Sequence, residues 1–170
     1  MRSLLLAGAL SLALASPTIA QAPAPSTLFE HLTGHWLLQG TIGGQQTTHD
    51  VDADLVLNGG YVRLHEVSHE KDAAGAPAYE AYVFISFDRK TGTYSCLWLD
   101  NTGNGGLDGN GIAHAKAVGN AIPFIFRGPA GAFHTTFTYA PDRDSWQWTM
   151  DGESGGKLEE FARVTLTRRS

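Results

Sequence analysis

Apolar and polar positions alternate along much of this chain. Val51, Ala53, Leu55 and Leu57 fall on one side of an extended run, and Asp50, Asp52 and Asp54 on the other. Phe133, Phe137 and Tyr139 oppose His134, Thr136 and Thr138, and Trp146, Trp148 and Met150 oppose Gln147 and Thr149. In the last run Leu158, Ala162, Val164 and Leu166 share a side with Glu160. A period of two marks strands with one face in a core and the other in water. The runs are separated by turn chemistry: Gly43-Gly44, Asn58 to Gly60, Asp72 to Pro77, Asp88 to Gly92, Asn101 to Gly106, Gly119-Asn120, Gly128 to Gly131, Pro141 to Ser145 and Asp151 to Gly156. Gly, Asn and Asp tolerate the positive φ angles of tight hairpins. Short connections imply that each strand pairs with its neighbour in sequence. The pattern predicts an all-β fold, a closed antiparallel up-and-down barrel of about ten strands whose first and last strands meet and leave no exposed edge.

The start of the chain follows a different rule. Arg2 precedes an apolar run from Leu4 to Ala15, Pro17 ends it, and small residues follow, so residues 1–22 read as a secretory signal cleaved after Ala20 or Ala22. The run is too short to span a bilayer. Residues 23–27 read as a flexible tether and residues 28–170 as the barrel domain. Thr27 and Glu30 have capping-box spacing, which predicts a short helix from Leu28 to Thr33 stopped by Gly34. Without Arg2 the chain has 11 basic and 17 acidic residues, net −6. A mildly acidic surface gives no help with phosphate backbones, so nucleic acid is not expected as a partner. Cys96 is the only cysteine. An internal disulfide is thereby excluded, and the core must supply the stability. The expected location is periplasmic or secreted.

Gly34-His35-Trp36, placed after a short helix and opening the first strand, resembles the Gly-x-Trp signature of lipocalins and their calycin relatives. The resemblance implies that Trp36 packs at the closed end of the barrel with a basic residue of the last strand across it. Arg168, with the parity of Leu166, is the best match, ahead of Arg163 and Arg169. A guanidinium is attracted to an indole face. Over roughly Leu32 to Arg168, the order Leu-x-Gly-x-Trp, Asn58-Gly59-Gly60, Ile85 to Asp88 with Thr93-Tyr94, Leu97 to Asn101 and Gly105 to Gly111 resembles an exported bacterial lipocalin-like family of unknown function. That family implies about ten strands and carries over no catalytic residues. Nitrobindins, which bind haem, are similar in architecture, but no haem-ligating His is placed by motif here.

Few motifs survive a test of their context. Gly152 to Gly156 matches the Gly-x-Ser-x-Gly nucleophile elbow around Ser154, which works only on a strand-turn-helix. β runs flank it on both sides, so a hairpin turn is expected. The Gly-rich stretch from Gly103 to Gly111 precedes no helix and reads as a loop at the barrel mouth rather than a phosphate cradle. Asp50, Asp52 and Asp54 lack the Gly and the closing Glu of a calcium loop and read as a solvated row. His65 and His69 on one strand lie roughly 13 Å apart, too far to share an ion. No metal site and no cofactor is therefore assigned. Cys96 has no adjacent base and reads as a buried hydrophobe.

The remaining candidates are pocket residues. About eight strands enclose room for side chains or one small ligand, and ten enclose more. Tyr82 and Phe84, Trp98, Phe133, Phe137 and Trp148 are the aromatic side chains expected to line that space. Val62 and Leu64 share a side with Glu66, and Tyr61 and Val67 with Arg63 and His65, so either choice of inner face puts a polar group inside. A buried charge needs a partner or a ligand. Arg63, His65, Glu66 and Glu160 are the candidate polar groups, with an internal salt bridge as the alternative. The reading that follows is an exported binding protein holding a small, largely apolar or amphipathic molecule in the barrel. An enzyme using Glu66, His65 or Glu160 as acid or base, a haem- or metal-binding barrel, and an envelope protein with a filled interior stay open beside it.

Overall fold

Ten antiparallel strands follow one short helix in the computed structural model, which describes residues 27–102, 111–129 and 131–169. The stretch read as an export signal, most of the expected tether and all but the last residue of the Gly-rich stretch from Gly103 to Gly111 lie outside the described residues. Helix α1 covers Leu28–His31, and the strands are β1 Gly34–Ile42, β2 Gln45–Val56, β3 Tyr61–Ser68, β4 Glu80–Asp88 and β5 Thr93–Asp100. They continue as β6 Ile112–Lys116, β7 Ala121–Gly128, β8 Gly131–Ala140, β9 Ser145–Ser154 and β10 Lys157–Arg168. The sheet runs in the order β6-β5-β4-β3-β2-β1-β10-β9-β8-β7. First and last strands pair, Trp36 opposite Arg168 and Leu38 opposite Leu166. Among the described residues no ladder joins β6 to β7, so the barrel is nearly closed and its seam lies there. Two features suit a seam. β6 is only five residues long, and Pro123 in β7 has no N–H to donate.

The core fills one end. Trp36, Leu38, Val51, Val62, Leu64, Ile85, Phe124, Trp146 and Leu166 are all fully enclosed. Each such side chain contributes about 1.5–3 kcal/mol by leaving water. Helix α1 lies over this end with Phe29 buried beneath it, and the indole N–H of Trp36 donates to the Leu32 carbonyl at 2.8 Å. Arg168 lies over the Trp36 ring, 3.8 Å from its centre. Its guanidinium donates to the Thr33 carbonyl and to Asp144, the latter at 2.7 Å. Gly34 has φ +132°, and a Cβ there would fall 1.9 Å from a guanidinium nitrogen of Arg168. The Gly of Gly-His-Trp is thus the space that the Arg168 clasp occupies.

Three local expectations are corrected. The Thr27 side chain makes no cap, and Glu30 turns away to pair with Arg89 at 2.7 Å. The helix ends at His31, earlier than Thr33. In β10 the register shifts between Glu160 and Ala162, so Phe161 is an extra, bulged residue. A bulge reverses the parity of everything before it. Glu160 therefore faces outward and pairs with Arg163 at 3.4 Å, and Leu158 is exposed. Ser154 ends β9 and pairs with Lys157 across a two-residue hairpin.

Candidate functional site in the barrel mouth

Alternation places Thr47 and His49 on the inner face of β2, continuous with Val51 and Ala53. The β2–β3 register sets His49 opposite Ser68 and Val51 opposite Glu66, which puts Glu66 beside His49. Both are enclosed, His49 3% and Glu66 2% exposed. His49 Nδ1 and Glu66 Oε1 are 2.5 Å apart, and His49 Nε2 is 2.8 Å from Thr47 Oγ1. Thr47 Oγ1 donates to Glu70 Oε2 at 2.8 Å, and the Thr48 N–H donates to Glu70 Oε1. Glu70 stands beyond β3 on a hairpin extension. There the Asp72 carboxylate caps the turn through the N–H groups of Ala74 and Ala76. The returning limb carries Tyr79, whose ring stacks on His49 at 5.6 Å and whose hydroxyl accepts from Trp98 Nε1 at 3.0 Å.

Burial acts to raise the Glu70 carboxyl, but hydrogen bonds from its own backbone, Thr47 and Thr48 and the nearby His49 outweigh this and hold it below its ordinary value. Glu70 is therefore ionised, and the single Thr47 proton points to it. His49 Nε2 must then carry a hydrogen and donate to Thr47. One proton remains on the line between Nδ1 and Glu66 Oε1, whichever atom holds it. Thr47, His49 and Glu66 have the outline of a nucleophile–imidazole–carboxylate series, yet Nε2 as a donor cannot take a proton from Thr47. Burial, and then the charge of Glu66, push the Tyr79 hydroxyl well above its ordinary value, so it stays protonated.

Glu66 Oε2 is buried and has no hydrogen-bond partner among the described residues. The Glu66 side chain lines a cavity of about 300 Å³ together with His49, Tyr79, Trp98, Met150 and Phe161. A second lobe of about 320 Å³ shares Tyr79, Trp98, Met150 and Phe161 and adds Phe133 and Asp100. These sizes suit a small organic molecule. Phe137 and Trp148 pack behind Trp98, stacked on one another at 4.6 Å.

The sequence candidates therefore separate. Glu66, Trp98 and Phe133 meet at the mouth, and Phe137 and Trp148 support them. Arg63, His65, Tyr82 and Phe84 lie on the outer face. Arg63 pairs with Asp54 at 3.0 Å. His65 binds Glu80 at 2.7 Å and stacks on Tyr82 at 4.3 Å. The register puts Val83 opposite Leu64 and Trp98, so Tyr82 and Phe84 point away from the core. The run from Ala81 to Phe87 is apolar on both parities except at Ser86, and alternation had nothing to distinguish. Of Glu66, His65 and Glu160, only Glu66 faces the cavity. The Asp row is exposed but paired, Asp50 with Arg169 and His69, Asp52 with His35. Cys96 is sealed in the core and its thiol is pushed up by burial.

Thr47, His49, Glu70, Tyr79, Asp100 and Phe161 were missed. The parity of His49 and Thr47 with Val51 was a usable signal. Glu70 and Tyr79 sit in a connection with no period, and Phe161 is placed by the bulge. Among the described residues no three His, Cys, Asp or Glu side chains come together to hold a metal ion, and no helix is long and apolar enough to cross a membrane. No protein-family model matches the chain, and no curated protein matches its sequence. The class of protein is therefore given by the barrel itself: a ten-stranded, nearly closed antiparallel barrel with a polar-floored cavity at one end.

Proposed function

We propose that this barrel is a binding protein that takes a small, largely apolar but amphipathic molecule into its mouth. The observation that carries the reading is Glu66, whose buried Oε2 has no partner among the described residues and whose side chain lines a cavity walled by Tyr79, Trp98, Met150 and Phe161. Leaving such an atom unsatisfied costs about 1–3 kcal/mol or more. A bound donor removes that cost while the apolar remainder of the molecule covers the aromatic wall. The Gly-His-Trp opening and the ordered motifs after it support kinship with exported lipocalin-like barrels. The N-terminal stretch supports action in the periplasm or outside the cell.

Native mass spectrometry of the purified protein, followed by solvent extraction, tests the binding reading. A stoichiometric adduct displaced by an apolar dye is the expected result. Absence of an adduct together with no saturable uptake of N-phenyl-1-naphthylamine overturns it. Cell fractionation with sequencing of the mature N-terminus tests export, with a start at Gln21 or Pro23 expected.

A further inference from the structure

We propose that the polar group this cavity receives is a protonated amine, carried on an apolar or aromatic body. The inference rests on the binding reading above and specifies its ligand. Three independent features point the same way.

The first is the direction of the missing hydrogen bond. With one proton on the His49–Glu66 line, Glu66 Oε2 is an acceptor whether that proton sits on Nδ1 or on Oε1. The ligand must donate. A carboxylate, sulfate or phosphate group has nothing to give it and would meet repulsion. The second feature is charge. Glu66 and Glu70 line one lobe, and among the described residues no Lys or Arg lines either. His49 is a single imidazole facing both Glu66 and Glu70, and its Nε2 hydrogen is already committed to Thr47. Glu70 keeps its negative charge at the rim, 4.0 Å from that nitrogen. An ammonium entering beside Glu66 answers both the missing donor and the excess of two carboxylates over one imidazole, whereas a hydroxyl answers only the first. The third is the wall. Tyr79, Trp98 and Phe161 border both lobes, and aromatic faces attract a cation when water is excluded.

The test uses matched probes of one shape on the unmodified mature protein: 3-phenylpropylamine, 3-phenylpropan-1-ol and 3-phenylpropanoate, titrated by calorimetry at neutral pH and low salt. A hydrogen bond to a charged group outweighs a neutral one by about 1–2 kcal/mol, so the amine is expected to bind about five- to thirtyfold more tightly than the alcohol. The carboxylate is expected to be weakest. An alcohol within threefold of the amine, or a tighter carboxylate, overturns the amine inference and leaves the binding reading standing. Uptake of N-phenyl-1-naphthylamine with no binding of any of the three probes has the same consequence. If the dye fails as well, both readings fall. Glu66→Leu is expected to abolish the preference for the amine. Because that change touches a buried pair, Glu70→Gln at the rim serves as the second variant. It is expected to lower amine affinity severalfold with the alcohol unchanged, and equal losses for both probes count against the proposal.

Discussion

At the scale of residues, two charged clusters do different work. Asp144 clasps Arg168 at the closed end. The Arg168 hydrogen bond is the main reason its carboxyl lies below the ordinary aspartate value, with a smaller contribution from Tyr139, and burial acts the other way. A depressed carboxyl contributes stability above its unfolded pKa of about 3.9 and loses it as pH falls through the lower folded value. Asp144→Asn is expected to lower stability by about 0.5–1 kcal/mol at pH 7, a modest figure because the pair is part-exposed. The gap should close below about pH 3.9, read as urea midpoints across that range. His49 and Glu66 are enclosed instead. Removing either alone strands a buried group, at a cost of about 3–5 kcal/mol. The double replacement His49→Leu with Glu66→Leu is expected to cost clearly less than the two single changes together. Additive losses in the double-mutant cycle would show that the pair is not coupled.

At the scale of elements, parity decides what each strand offers. Where one side is cleanly apolar, as in Trp146, Trp148 and Met150 of β9, alternation names the inner face. Where both sides are apolar, as in β4, it names nothing, and the pairing of Val83 with Leu64 and Trp98 makes the choice. The bulge at Phe161 is the other case. It sends Glu160 outward and brings Phe161 to the mouth, where its ring meets Phe133 edge-on at 5.4 Å. Phe161→Ala is expected to weaken dye uptake severalfold while changing stability by under about 1 kcal/mol, since the ring is part-exposed. Unchanged uptake would remove Phe161 from the cavity wall. Gly34→Ala at the head of β1 is expected to cost about 2 kcal/mol or more, because it strains a positive φ and displaces Arg168. Thermal unfolding checks it, and Arg168→Ala should relieve part of the loss.

At the scale of the whole molecule, the barrel is unevenly fastened. The β1–β10 ladder runs from Trp36–Arg168 to Ile42–Ala162 and is reinforced by the clasp at one end. Among the described residues the β6–β7 seam has only an isolated bridge at its turn, Val118 to Ala121. Strand edges without ladder partners open at lower free energy than paired core strands. Hydrogen exchange is expected to be fastest at β6 and the facing edge of β7 and slowest in β1 and β10. Faster exchange in β1 than in β6 would contradict this. The mouth takes residues from β2, β3, β5, β9 and β10 and from the hairpin between β3 and β4, so a ligand there bridges parts of the sheet that meet only when the barrel curls.

The sequence alone determined the strand number, the turns between strands and the inner face of runs such as Trp146 to Met150, although Leu57, expected on the inner side with Val51, instead leaves β2 at a positive φ and is exposed. Those are local properties, set by side-chain period and by residues that accept positive φ. The resemblance of Gly34-His35-Trp36 to the Gly-x-Trp signature implied the pairing of Trp36 with Arg168. The tertiary structure decided the rest: which side of β4 turned in, the parity of Glu160, and the meeting of Thr47, His49, Glu66, Glu70 and Tyr79. The reason is physical. A period describes one strand against a core, whereas a site is assembled by register, by a one-residue bulge and by a loop folding over the mouth. None of these leaves a repeating trace in the residues that it brings together.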